Sequence, residues 1–172
     1  MKNFFDIYRQ KTPHSENLFK RAKEVLPGGI SHNIHYFPPY PFFLKKGKGP
    51  KVWDLDGNEY VDLWMGHYTN ILGHHSEIVV EAIERQLKEG IHWGILFEKQ
   101  VEWAELIREL IPCAEMVRFC CSGTEATMYA VRVARAFTQK NIILKIAGSW
   151  HGANTDLSVG IQAPYEKEES LG

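Results

Sequence analysis

The sequence lacks the common nucleotide fingerprints: no G-x-G-x-x-G follows a strand pattern, and G-x-x-x-x-G-K-[ST] does not occur. It has no C-x-x-C. Its three cysteines, Cys113, Cys120 and Cys121, are an odd set whose adjacent pair would face opposite sides of a strand. That argues against a disulfide framework or a structural zinc site and for a reducing, cytoplasmic setting. Charge of either sign is not in excess: 20 Lys and Arg balance 21 Asp and Glu, so neither nucleic acid nor a membrane surface is an expected partner. No apolar run is long enough to cross a bilayer, and residues 1–6 run into charge rather than into a signal-peptide core.

What is present is 172 residues of ordinary globular composition, enough for one domain with a sizeable core, and rich in Trp, Tyr and Phe. Residues 1–13 read as a weakly ordered arm. Ser15 is positioned to cap a helix over residues 15–25, ended by Pro27-Gly28-Gly29. The prolines at 38, 39 and 41 make residues 30–41 a loop. Its His32 and His35 have metal-ligand spacing without a cysteine or carboxylate beside them, so a loop packed over a pocket is preferred to a metal site. A β-meander follows, with strands at 42–44, 51–55 and 59–63 and an Asp56-Gly57 hairpin turn. Residues 54–59 superficially resemble a calcium loop, but the glycine comes two places early and the bidentate glutamate is missing.

Helices are expected over residues 76–89, 97–111 and 124–137, with strands at 116–121 and 141–146. The last three elements form a strand–helix–strand series, which predicts a right-handed βαβ unit with parallel strands. The chain stops soon after the second loop, which suits a solvated tail or an N-terminal portion of something longer.

Residues 119–126, Phe-Cys-Cys-Ser-Gly-Thr-Glu-Ala, put a glycine-containing corner between strand and helix. Free amides at the start of a helix, with the positive end of its dipole, suit a phosphate. Ser122-x-x-Glu125 is equally a plain capping box. The βαβ geometry tips the balance toward phosphate, because it brings Ser122, Gly123 and Thr124 to the same sheet edge as Trp150 and His151. A phosphate carried on an aromatic ring fits such a crevice, with the ring on the indole. Nucleotides and pyridoxal phosphate both meet that description, while Trp150 taken alone is equally a packed loop aromatic.

The ordered series Leu26-Pro27-Gly28-Gly29, Gly47-Lys48-Gly49 through Trp53-Asp54-Leu55-Asp56-Gly57, Asp62, Ile71-Leu72-Gly73-His74, Ser122-Gly123-Thr124-Glu125-Ala126 and Trp150-His151-Gly152 resembles class III pyridoxal phosphate-dependent aminotransferases. The branch it is most similar to contains glutamate-1-semialdehyde 2,1-aminomutase and the β-amino acid aminotransferases. The resemblance implies an α/β, fold type I enzyme. Residues 1–75 would lie on the small-domain side, and residues 76–172 would begin the cofactor-binding large domain. It implies pyridoxal 5'-phosphate held by Ser122, Gly123 and Thr124, stacked on Trp150, where the family usually has Tyr or Phe, with His151 lining the pocket.

It also implies a homodimer, with the 91–97 loop reaching across the interface. The Schiff-base lysine and the acid beside the pyridine nitrogen would lie beyond residue 172. Lys145 cannot replace that lysine from inside an expected strand, so no catalytic residue is assigned within the chain. The family's carboxylate-gripping arginine is absent from residues 30–37. His35 falls near its place, and His67 falls where a tryptophan is usual. An imidazole clamps a carboxylate less firmly than a guanidinium, so amino transfer between an amino acid or amine and a keto acid or aldehyde is favoured over the aminomutase reaction. The rival reading is a non-catalytic module that binds a phosphorylated aromatic ligand.

Overall fold

The computed structural model describes residues 3–161. They fall into two units, Met1–Gly94 and Ile95–Gly172, each with its own packing.

In the first unit, α1 (Phe4–Lys11) and α2 (Pro13–Val25) are separated only by Thr12. The expected loose arm is therefore a helix. Asn3 caps it by accepting from the Phe5 amide, and Arg9 and Lys11 sit at its carbonyl end, where positive charge is favourable. Thr12 is fully buried; its hydroxyl donates to the Tyr8 carbonyl and shares a hydrogen bond with the Tyr40 hydroxyl. Burial, with the neighbouring Tyr40, pushes the Tyr8 phenol up to about 12.

Pro13 opens α2, two residues before the expected cap, and Thr12 makes no side-chain capping bond. Asp56 caps the helix instead: its two oxygens accept from the amides of His14 (2.9 Å) and Ser15 (3.2 Å). Ser15 is buried inside the helix and accepts from the Phe43 amide, tying α2 to the approach to the sheet.

The sheet is antiparallel, in the order β1 (Leu44–Lys48), β2 (Lys51–Asp54), β3 (Glu59–Val61). Its first strand starts at Leu44 rather than at residue 42, and a register shift separates Leu44 from Lys46. Phe19, Ala22, Tyr40 and Val52 form the buried core of this unit. The β2–β3 connection is built on Asp54, which is fully buried. Its Oδ1 accepts from the Asp56 and Asn58 amides, and its Oδ2 from the Asn58 side chain and the Tyr60 hydroxyl. Burial and this bond to a carboxylate push the Tyr60 phenol upward. Beyond the sheet lie the four-residue turn α3 (Met65–Tyr68) and helix α4 (Glu77–Glu89).

The second unit contains α5 (Glu98–Leu110) and α6 (Gly123–Thr138). The two flanking segments do not become strands: among the described residues no ladder joins 116–121 to 141–146, and the parallel βαβ pairing is absent. A strand needs a neighbour about 4.8 Å away to take its amides and carbonyls. Here Ile142 and Leu144 are 93% and 98% exposed, so nothing lies against them. The 116–121 segment is held by side chains instead. Phe119 stacks on Trp103 of α5 at 4.2 Å, and the Arg118 guanidinium lies 4.1 Å from the Tyr129 ring of α6. Lys145 donates to the Val159 carbonyl at 2.7 Å.

Candidate functional site

The first candidate is the start of α6. Ser122 caps the helix by accepting from the Glu125 amide at 3.2 Å, and Glu125 accepts from the Cys121 amide at 2.8 Å. The reciprocal box is present, shifted by one residue on the glutamate side. The amides of Gly123 and Thr124 have no acceptor among the described residues. A Cβ built on Gly123 would meet no atom within 4 Å, so the corner is open.

The 151–154 loop is fastened to that corner. Thr127 donates to the His151 carbonyl at 2.7 Å, Asn154 donates to the Thr127 hydroxyl, and the Ala153 amide donates to the Thr124 hydroxyl. Gly152 is buried with φ of +91°, and a Cβ there would lie 2.5 Å from Thr124 Oγ1 and 2.6 Å from its Cα. Only glycine allows the loop to come this close. Ser122, Gly123, Thr124 and His151 thus share one small region of the second unit. Trp150, 57% exposed, stands at the start of the loop.

The second candidate lies in the first unit. Met65, Gly66, His67 and Tyr68 all have positive φ, from 46° to 64°, so α3 is a left-handed turn. Each L-residue in that conformation costs roughly 1–2 kcal/mol, and three of the four are not glycine. Asp62 holds the turn by accepting from the Trp64 (2.7 Å) and Met65 (3.0 Å) amides, while its other oxygen accepts from His74 Nε2 at 2.6 Å. The turn puts the His67 ring 4.8 Å from Trp64, 6.3 Å from His35 and 6.4 Å from His32. His32 and His35 are 5.5 Å apart.

Sequence reasoning named His35 and His67 but assigned His32 no substrate role. The His-x-x-His spacing was its only signal, and the fold adds the third imidazole. Among the described residues no group of His, Cys, Asp or Glu is arranged to hold a metal ion.

Burial raises Asp62 and Asp56, but hydrogen bonds outweigh it. His74 and the Met65 and Trp64 amides hold Asp62 below the ordinary carboxylate range, and His14 and Ser15 do the same for Asp56. Because both titrate lower in the folded state, their stabilisation is complete above the unfolded carboxylate range near pH 4 and is lost as pH falls through the folded values. Urea midpoints are therefore expected to be flat from pH 7 to 5 and to fall steeply below about 4. Asp56→Asn and Asp62→Asn should each flatten that fall, and an unchanged slope in both variants would contradict the assignment.

The helices, the small antiparallel sheet and the open, glycine-containing corner at the start of α6 make this a mixed α/β protein. The sequence matches the family profile described as aminotransferase class-III over residues 34–170. The chain belongs to the class-III aminotransferase family, and its fold is the N-terminal part of fold type I. It is 51% identical over 140 residues to a glutamate-1-semialdehyde 2,1-aminomutase of Methanothermobacter thermautotrophicus, covering 81% of this chain and 33% of the relative. Among solved structures, one described as a transaminase with PLP bound superposes with a TM-score of 0.84 at 42% identity, over 87% of this chain and 35% of that one. An omega-transaminase from Sphaerobacter thermophilus gives 0.87 at 37% identity, over 91% and 36%. The chain spans about a third of the length of the relatives it matches.

Proposed function

We propose that this chain is the N-terminal part of a pyridoxal phosphate-dependent aminotransferase, and that the start of α6 holds the cofactor's phosphate. The observation carrying this reading is the fastening of the 151–154 loop onto α6 beside two unpaired amides. The residues fit the group: the Gly123 and Thr124 amides donate to an anion, Ser122 fixes the corner, and the missing Cβ at Gly123 leaves room for a phosphate. Trp150 supplies a flat face for the ring, and His151 borders it. Bound there, pyridoxal phosphate supplies an electron sink for the carbon bearing the amino group.

The reactive lysine and the acid beside the ring nitrogen belong to the two thirds of the protein that this chain does not span. Lys145 is committed to the Val159 carbonyl. Residues 1–75 form the small-domain side and residues 76–172 the start of the large domain. The complete enzyme is a cytoplasmic homodimer, with residues 91–97 as the segment that crosses to the partner.

His35 and His67 contact the substrate. With imidazoles in place of a guanidinium, transfer from an amino acid or amine to a keto acid or aldehyde is the preferred reaction. The aminomutase reaction is the second reading, favoured by the aminomutase relatives. The test uses the complete protein. It is expected to keep about one pyridoxal phosphate per chain through gel filtration and to move an amino group from a donor amino acid to pyruvate faster than it converts glutamate-1-semialdehyde. Failure to keep the cofactor would overturn the proposal, and the opposite rate order would select the aminomutase.

A further inference from the structure

The loop of the second unit hangs from α6 by one closed set of side-chain bonds. Thr127 lies three residues after Thr124 and four after Gly123, so it shares their face of the helix, roughly one turn further along. Its hydroxyl carries one proton and has three carbonyls within reach: Gly123 at 3.0 Å, Thr124 at 3.1 Å and His151 at 2.7 Å. A threonine inside a helix ordinarily turns that proton back onto its own helix. Here the shortest approach is to the loop, and the proton goes to the His151 carbonyl.

Asn154 completes the set. Its Oδ1 accepts from the Leu157 amide at 3.1 Å, which fixes the way the side-chain amide faces. The two protons of its Nδ2 then go to the Thr127 hydroxyl oxygen at 3.2 Å and to the His151 carbonyl at 3.3 Å. That carbonyl accepts from both side chains, one for each lone pair. Thr127 and Asn154 are half-buried. Val131, one turn beyond Thr127, and Leu157, three residues beyond Asn154, are buried, so each arm of the clasp grows from a packed element.

Every side-chain proton of the pair is committed inside the clasp, so neither residue is a donor to a phosphate. What the clasp sets is spacing. The Gly123 and Thr124 amides stand free at the end of the helix, and the Trp150–His151 step is held one turn along the same face. Pyridoxal phosphate joins its ring to its phosphate through a single CH2–O link, which leaves little slack between the two ends.

We propose that Thr127 and Asn154 are positioning residues for the cofactor's ring: by holding the His151 carbonyl they fix the height and tilt of the ring's resting face, while the phosphate seat does not depend on them. The inference rests on the cofactor reading given above. It separates two properties that a plain anchor would change together, retention of the cofactor and orientation of its ring.

The experiment uses the complete protein loaded with pyridoxal phosphate. Cofactor per chain is measured after gel filtration, and visible circular dichroism is measured per bound cofactor. Pyridoxal phosphate has no stereocentre, so its ellipticity arises only from being held in one asymmetric setting. Thr127→Val removes the proton and keeps the shape, Thr127→Ser keeps the proton, and Asn154→Asp removes both donors while keeping the acceptor for the Leu157 amide. The valine and aspartate variants should each keep about one cofactor per chain and lose about half or more of its ellipticity, and serine should restore it. The double variant should be no worse than either single one, because each breaks the same closed set. Parental ellipticity in Thr127→Val, a serine variant no better than the valine one, or cofactor lost in step with ellipticity would overturn the proposal. A parent protein that keeps no cofactor sinks the cofactor reading and this inference with it. A parent that keeps it, beside a valine variant of unchanged ellipticity, sinks only the positioning role.

Discussion

Gly123→Asp is expected to abolish cofactor retention by the complete protein while leaving it folded. The substitution places a carboxylate at the first position of α6, where negative charge favours the helix by roughly 0.3–1 kcal/mol. The site is open and its φ is not left-handed, so neither clash nor backbone strain accompanies it. Toward a phosphate the same charge is repulsive. Two unit charges 4 Å apart near a protein surface interact by about 4 kcal/mol, on the order of a thousandfold in affinity. Gly123→Ala is the matched control, since it keeps the amide and its methyl meets nothing within 4 Å. Pyridoxal phosphate remaining after gel filtration should be near zero for the aspartate and close to that of the parent for the alanine. Equal retention in both would remove the phosphate site from this corner.

The second large effect is on stability. Asp54→Ala should cost about 3–5 kcal/mol, because it removes the shared acceptor of four donors at a fully buried position. The amides of Asp56 and Asn58 lose their partner at the β2–β3 turn, and the same turn carries the Asp56 carboxylate that caps α2. Damage at Asp54 therefore spreads to a helix that begins 41 residues earlier. Asp54→Asn keeps one acceptor oxygen and should cost about half as much. Urea midpoints of the two variants measure this. A loss under 1 kcal/mol for the alanine would mean that the turn reorganises around water.

The elements that could be read from sequence were those whose evidence is local. The helices at 77–89, 98–110 and 123–138 announce themselves through apolar stripes and small or capping residues at their starts, and they form within a residue or two of the expected bounds. Elements that depend on distant partners were misread. Residues 1–13 read from sequence as a loose arm, yet Tyr8 of the first helix is anchored by its hydroxyl to the Tyr40 carbonyl, 32 residues away. Ser15 looked like a cap because it precedes an apolar run. The residue that caps this helix is Asp56, which no window around position 15 contains. The segments at 116–121 and 141–146 have strand composition, but composition cannot supply a neighbouring backbone.

The candidate site divides in the same way. The approach of the 151–154 loop to the start of α6 is expected from a parallel βαβ unit; the strands of that unit are not formed among the described residues, and the bonds from Thr127 and Ala153 make the approach instead. The grouping of His32 with His67 was not foreseeable, since it depends on four consecutive left-handed residues, three of which ordinarily avoid that conformation.

The tight seat of Gly152 against Thr124 has a practical consequence for anyone wishing to change what this scaffold accepts. In a randomised library spanning positions 149–154, position 152 behaves as a hinge pin: any side chain there prises the whole segment off α6 and moves every neighbour at once. Diversity is better spent on Trp150, whose indole is open to solvent, and on Ala153, whose tether is its backbone amide. Those two positions let the surface beside the start of α6 be re-cut while its mounting stays fixed.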